Sequence, residues 1–479
     1  MKAKKLISIL CAVAMMTTFA SCGTKSETEE SDGVKTLTWL VPGDKQSGQD
    51  QVMEAVNKIT EQEIGAKLDL QFIDAGAFTE RMTMKMASSD DYDMCFTGFV
   101  NPYAQAAENG GLLELDSLLE NYPELKASIP ENVWEGSKYK GHIYAVPNMQ
   151  IQVSTYALQF KKDLVDKYNF DVSSVKHVED IEPFLEAVKN GETGIYPFRT
   201  NYGITPWICA DYETINGDIA IKKDDGHKVF MRYDTDEFKQ GVYKMYDWFK
   251  KGYIRADVAS VTDDTQDYNA GKYAVSSTTW KPGAEEITKS TLGYDVVYAT
   301  LNEPYMGIGT GTGTMIGINK KCKDPDLAMK FIQLINTNKE LYNLICFGIE
   351  GVNYNLTADG KVQYIDGSGY APKADWKFGN QFNALLLEGQ DDDLWEQTEN
   401  YNASAVNSPL LGFSFSTENI TNEISQASSV SEEYKVLNCG AKDPDTYFEE
   451  FKEKMKVAGK DKLLEDAQRQ VDEFWASKQ

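Results

Sequence analysis

The sequence predicts an α/β protein whose two lobes share one chain by crossing back and forth. Three observations carry this. Near the start of the mature chain, strand patterns alternate with amphipathic helix patterns in the order βαβαβ, which implies parallel strands with right-handed crossovers. The alternation returns around residue 324. Finally, 479 residues suffice for two domains with a sizeable core, yet no long linker divides the chain and no repeat of solenoid period is present. The lobes must therefore interleave rather than sit as beads.

The first residues set the compartment. Lys2, Lys4 and Lys5 form a positive n-region, and residues 6–16 are apolar. That run is about half a membrane span, as in a signal peptide. Phe19-Ala20-Ser21-Cys22-Gly23 follows. This stretch resembles the lipobox of bacterial lipoproteins, with Phe19 where Leu is usual. The resemblance implies that residues 1–21 are removed and that Cys22 becomes the lipidated first residue. Residues 22–33 are rich in Ser, Thr and Glu and read as a tether that cannot bury a core.

Residues 36–41 (TLTWLV) are a nearly continuous apolar strand of the kind buried in parallel sheets. A loop spans 42–48. Val52, Val56 and Ile59 then mark one helix face, ended by Gly65. Leu68, Leu70 and Phe72 alternate as a second strand; Phe78, Met82 and Met86 give the next helical stripe; residues 94–96 are a third strand. Sheets of this kind present ligand groups at the carboxyl ends of their strands, which singles out loops 42–48 and 97–103. Later, Asp324 caps a helix with Pro325 at its first position, and Ala328, Phe331, Ile332 and Ile335 form its buried face. Leu463, Leu464, Ala467, Val471, Phe474 and Trp475 line a last amphipathic helix.

Composition narrows the function classes. The formal net charge is −26, and near −29 once residues 1–21, with three lysines and no acid, are gone. Nucleic acid and anionic lipid need a basic footprint and are poor partners for such a field. Of seven cysteines, Cys11 leaves with the signal; Cys95, Cys209, Cys322, Cys346 and Cys439 remain beside Cys22. No CxxC pair exists, and Cys95 and Cys346 sit in apolar runs that suit packing. His142, His177 and His227 are the only histidines and do not pair at metal-ligand spacing. There is no nucleophile elbow, phosphate-binding loop or EF-hand pattern. Residues 307–317 (GIGTGTGTMIG) precede a strand instead of opening a helix, so they suit a connector at the second crossing better than a nucleotide loop. No metal and no cofactor is expected. The 74 acidic residues offer too many carboxylate pairs for any one to indicate glycoside hydrolysis.

A hydroxylated ring needs aromatic plates beside a few amide, hydroxyl or carboxylate partners. Several aromatics stand in loops with such neighbours: Tyr103 after Asn101, Trp207 before Asp211 and Tyr212, Trp280 before Lys281, and Tyr354 between Asn353 and Asn355. Asp44 and Lys45 form a charged pair in the first strand-end loop, and Glu350 lies in a Gly-flanked turn.

A series of segments now carries a family resemblance. Residues 37–52 (LTWLVPGDKQSGQDQV) resemble the opening strand and sugar-contacting loop of maltose-binding-protein-like receptors. Residues 92–115, 139–147 (YKGHIYAVP), 156–168, 269–280 (NAGKYAVSSTTW) and 326–354 are similar to successive steps of that family, in order. Residues 412–475 resemble a C-terminal region of one, LplA-type, branch of these lipoproteins. The resemblance implies a type II periplasmic-binding-protein fold: two α/β lobes joined by a hinge of crossing chain segments. It divides the chain into 34–154 (first lobe), 155–312 (second lobe), 313–355 (return to the first) and 356–479 (second lobe and C-terminal helices). It further implies a monomeric substrate-binding lipoprotein on the extracytoplasmic face of the cell membrane. That lipoprotein would take a carbohydrate, an oligosaccharide for choice, and deliver it to ABC permease subunits without catalysis. Asp44 and Lys45 would hold sugar hydroxyls, and Trp280 would stack on a sugar ring. Asn101, Tyr103, Trp207, Glu350 and Tyr354 complete the expected ligand contacts. The alternative of another class is an extracellular, lipid-anchored, glycan-active enzyme, distinguished by release of product.

Overall fold

The computed structural model describes residues 33–88 and 91–478; the expected signal peptide, Cys22 and nearly all of the tether lie outside the described residues. The chain opens with β1 (Lys35–Pro42), α1 (Gln49–Ile64), β2 (Ala66–Ile73), α2 (Ala75–Ala87) and β3 (Met94–Gly98), the order read from the sequence. β1 pairs in parallel with β2 and β3. Its consecutive residues Trp39, Leu40 and Val41 are all buried, because a strand inside such a sheet is covered on both faces. α1 turns Val52 and Val56 inward and ends where Gly65 takes a left-handed φ of 69°, a conformation that glycine adopts at no steric cost.

Short helices lead to β4 (Ala145–Pro147). The chain then crosses and builds a second sheet from β5 (Tyr156–Lys161) and β6 (Tyr196–Arg199). A meander of β7 (Tyr212–Asn216), β8 (Ile219–Lys222) and β9 (Phe230–Met231) interrupts, before β10 (Tyr273–Thr279) and β11 (Val296–Thr300) complete that sheet in the order β11-β5-β10-β6. β12 (Tyr305–Met306) lies in the crossing back. β13 (Thr314–Ile318) re-enters the first sheet, whose order is β2-β1-β3-β13-β4, antiparallel to both its neighbours. Two separate hydrophobic cores result, one around each sheet: a two-lobed α/β fold.

Asp324 caps the helix Pro325–Thr337, its side chain accepting from Leu327 N at 3.1 Å. Ala328, Phe331, Ile332 and Ile335 are fully buried beneath it. Phe331 and Phe378 both meet Trp39 edge-on, at 5.6 and 5.9 Å. Phe378 shows that the return to the first lobe runs beyond residue 355: the hairpin β14 (Tyr354–Leu356) and β15 (Val362–Tyr364), with Tyr370, Phe378 and Ala384, belongs to the first core. Beyond two three-residue strands this stretch is built of turns and short 3₁₀ segments, too short for a helical or strand period to mark it in the sequence. The chain leaves through the helix Leu394–Ala403 and β16 (Val406–Asn407). Its last helices, including Pro444–Val457 and Lys460–Ser477, bury Phe448, Phe451, Met455, Leu463, Ala467 and Val471 against the second core. Among the described residues no helix is long and apolar enough to cross a membrane.

Candidate functional site

Three segments cross between the lobes, around residues 148–155, 301–313 and 394–409, and they are bonded to one another. Ser154 N donates to Tyr305 O at 2.9 Å. β12 pairs in parallel with β16, and Ser408 N donates to Met306 O at 2.7 Å. Asn402 closes a reciprocal pair, accepting from Gln152 N and donating to Gln150 O, both at 2.8 Å. Glu213 of β7 ties two crossings together: its carboxylate accepts from Tyr305 Oη (2.7 Å), Ser408 Oγ (2.5 Å) and Ile308 N (2.6 Å). Three donors from two crossings converge on this one carboxylate, so the crossings form a defined hinge.

The first-lobe wall stands at the carboxyl ends of β1 and β3. After β1, Gly43 N donates to Ile73 O and Gly48 N to Gly369 O, each at 2.8 Å. Gln46 spans the loop, donating to Asp44 O and accepting from Ala371 N. Beneath, the buried Lys377 Nζ donates to Pro42 O at 2.6 Å. Burial lowers its ammonium pKa, with Asp44 acting in the opposite sense. Asp44 and Lys45 are thereby held out, exposed, on a braced tip. After β3, Gly98 has a φ of 147°, and a Cβ there would fall 2.0 Å from Gly313 O, so only glycine lets the strand end touch the second crossing. Phe99 N donates to that same carbonyl at 3.0 Å. The Phe99 ring is 63% exposed, yet it is gripped between Phe96 and Trp376, each with its centroid 5.7 Å away. An exposed aromatic fixed in this way is a ready-made plate.

The second-lobe wall stands at the carboxyl end of β10. Trp280 N donates to Thr155 O at 2.8 Å, and the indole meets Tyr401 edge-on at 5.1 Å. Tyr401 Oη is 2.6 Å from Thr155 Oγ1. Trp280 is therefore braced by the first and third crossings and remains part-exposed. It borders a cavity of about 260 Å³ with Thr278, Thr279 and the hinge residues Ile151, Val153 and Ser154. Lys281 beside it is open to solvent but surrounded by protein, which lowers its pKa; Asp375 of the first lobe raises it from across the cleft. Aromatic plates on both walls, with hydroxyls and a few charged groups between, suit a hydroxylated ring with apolar faces.

The expected residues divide. Asp44, Lys45 and Trp280 stand on the two walls. Glu350 is exposed on the first lobe, in a turn held by Gly351 N to Tyr354 O at 2.7 Å, and through Asn353 that turn bonds to Ser368 of the same lobe rather than to a crossing. Asn101, Tyr103, Trp207 and Tyr354 are corrected. Asn101 is buried at a positive φ of 65°, its amide donating to Phe96 O at 3.0 Å. Tyr103 is buried, with its hydroxyl accepting from Tyr144 N. Trp207 packs on Trp248 in the second core, its indole N–H donating to Glu179 at 2.7 Å. Tyr354 packs on Phe347 in the first core. In each case a polar neighbour in sequence is not a neighbour in the cleft. Phe99, Trp376, Lys281 and Glu213 were missed; Phe99 lies within loop 97–103, which the strand-end rule had singled out. Among the described residues one group of metal-ligating type is found, Glu114, Asp116 and His142, with Glu114 and His142 exposed and Asp116 part-buried; exposed acidic groups of this kind are common without an ion.

Comparison with known proteins bears on the family and the two-lobed fold. The model of the family described as bacterial extracellular solute-binding protein matches residues 44–341, and a domain of unknown function matches 409–476. A carbohydrate ABC transporter substrate-binding protein of Streptococcus pneumoniae serotype 4 (strain ATCC BAA-334 / TIGR4) is 29% identical over 488 residues, 97% of each chain. Among solved structures, the N-glycan transport solute binding protein NgtS of Streptococcus pneumoniae superposes with a TM-score of 0.83 at 28% identity, over 93% of this chain and 100% of that one. Its complexes with Man1GlcNAc and Man5GlcNAc superpose at 0.72 and 0.69, both at 27% identity, over 92% and 93% of this chain and 99% of theirs. The chain belongs to the bacterial extracellular solute-binding proteins, a family that works outside the cytoplasm.

Proposed function

We propose that this solute-binding protein captures an oligosaccharide between its two lobes and delivers it to the permease of an ABC importer. The observation that carries the reading is that each lobe presents an aromatic plate at the carboxyl ends of its strands, Phe99 with Trp376 on one and Trp280 on the other, with bonded crossings joining the lobes. Asp44, Lys45, Lys281 and Asp375 supply polar partners to hydroxyls. Glycans built from mannose and GlcNAc are the first candidates, because the similar NgtS has been solved with Man1GlcNAc and Man5GlcNAc. The chain superposes less closely on those two complexes than on the other NgtS structure, a spread that suits lobes able to take more than one arrangement. Such closure follows from differential affinity for two arrangements of the lobes.

Calorimetric titration with Man1GlcNAc, Man5GlcNAc and glucan, fructan and galactan ladders tests this. Saturable binding with no released product is the expected result. Absence of binding to every saccharide, or shortening of the added glycan, overturns it. The proposal extends to the anchor: Cys22 carries palmitate-type acylation and holds the protein, as a monomer, on the extracytoplasmic face of the membrane. More than one acyl chain is needed for stable retention. Cys22→Ala should release the protein to the medium, and equal release of the unaltered protein sinks the anchor.

A further inference from the structure

The larger cavity of the second lobe lies outside the walls described above. It encloses about 720 Å³, within the size range of small-molecule sites. It begins where β6 ends, over Phe198 and Ile204, and is closed on one side by loop 258–264 and on the other by the turn Lys435–Cys439. That turn belongs to the C-terminal region, and two close approaches fasten it to the lobe. Gly203, at a φ of +51°, leaves a Cβ position only 3.0 Å from Asn438 Cβ, and a Cβ on Gly440 would come 2.1 Å from Met245 O.

Each charged side chain of the cavity wall has a partner of opposite sign beside the wall. Arg232 pairs with Asp218 at 2.5 Å, Arg255 with Asp257 and Asp267, Asp264 with Arg199, and Lys435 with Glu432. A wall whose ions are already paired selects neither an anion nor a cation, because a charged ligand would have to break a pair. What remains is neutral: the hydroxyls of Thr200 and Thr262, the amide of Asn438, and the Tyr202 ring, 38% exposed. The cleft shares the aromatic face and the hydroxyls, but there they stand beside charged groups; here the free partners are neutral.

Its position links the two. Asn201, on the cavity rim, donates to Ser277 O at 2.7 Å and accepts from Ser277 Oγ at 3.2 Å. Ser277 precedes Trp280 by three residues on β10, about 10 Å at the rise of an extended strand. β6 and β10 are parallel, so both deliver their carboxyl ends to the same side of the lobe, and Tyr202 meets Tyr156 at the hinge end of β5 with centroids 5.8 Å apart.

We infer that this cavity is a second saccharide subsite. It receives the distal units of an oligosaccharide whose first units lie between the lobes, and through the turn Lys435–Cys439 the C-terminal region takes part in selecting ligand length. The inference rests on the oligosaccharide reading proposed above.

The test fills the cavity from its exposed rim. Ala259 lies on loop 258–264 and is exposed, so Ala259→Trp can be accommodated by the fold. The full mature chain and this variant are titrated with Man1GlcNAc, Man5GlcNAc and the glucan, fructan and galactan ladders. The expected result is a loss of about tenfold or more for the long members, with the shortest members unchanged. Equal affinity of variant and unaltered protein for long and short members, or equal loss for both, overturns the second subsite while leaving capture in the cleft intact. If the unaltered protein binds none of these saccharides, the oligosaccharide reading falls and this inference with it. Should Ala259→Trp lower the melting midpoint, Asn438→Ala carries the same comparison, with the same length-dependent loss expected and a length-independent result overturning it.

Discussion

In the first lobe the aromatic plate, Phe99 with Trp376, rests on the ends of core strands; in the second lobe Trp280 rests on the crossings. Phe99 is held by Phe96 of β3 and by Gly313, and Trp376 lies one residue before Lys377, whose ammonium is bonded to the end of β1. Trp280 is bonded to Thr155 and braced by Tyr401. One wall is therefore an extension of a core sheet, and the other is bonded to the segments that join the lobes. On the proposed function, a ligand stacked on Trp280 would touch the crossings through a single side chain, so that occupancy of the second wall would bias the arrangement of the lobes. Packed elements with two discrete arrangements are the usual means of such coupling.

The contrast between a plate and a core residue is broken most sharply by Trp248→Ala. Trp248 is fully buried, edge-on to Phe198 at 5.2 Å and beside Trp207. Its loss should cost on the order of 3–5 kcal/mol of stability, measured by chemical denaturation, with unchanged affinity in the folded fraction. Unchanged stability would mean that the second core does not depend on this cluster. Trp280→Ala should do the reverse. Affinity for the bound saccharide should fall by about 1–3 kcal/mol, ten- to a hundredfold or somewhat more, while the melting midpoint moves little; a large drop in midpoint at constant affinity would return Trp280 to a structural role. Phe99→Ala sharpens the same comparison from the other wall. Because the ring is mostly exposed, stability should change by no more than about 0.5 kcal/mol, and affinity should fall by about 0.5–1.5 kcal/mol. An affinity equal to that of the unaltered protein would remove Phe99 from the site.

Much of this architecture was legible because it rests on periodicity. The βαβαβ opening, the α1 stripe of Val52 and Val56 ending at Gly65, the Asp324 cap and the Leu463, Ala467 and Val471 face are local patterns with local causes. The strand-end rule also located the loops that carry Asp44, Lys45 and Phe99. Residues 356–387 were not legible as part of the first lobe, since their turns follow no period and their burial is decided by partners such as Trp39, far away in sequence. The assignment of individual aromatics failed for the same reason. Trp207 and Trp280 each precede polar residues, but Trp207 is turned into the second core by the helix Asp236–Lys251, where Gly241 leaves room for it, while Trp280 is turned out by the crossings. Trp376 carries no signal of its own; it becomes a plate only when the fold sets it against Phe99.

The central claim is that the two walls close on one ligand, and small-angle X-ray scattering of the mature protein tests it most directly. With the tightest-binding saccharide of the titration series at saturation, the radius of gyration should fall and the scattering should match a more compact pair of lobes. A radius identical with and without saturating saccharide would contradict closure between the walls.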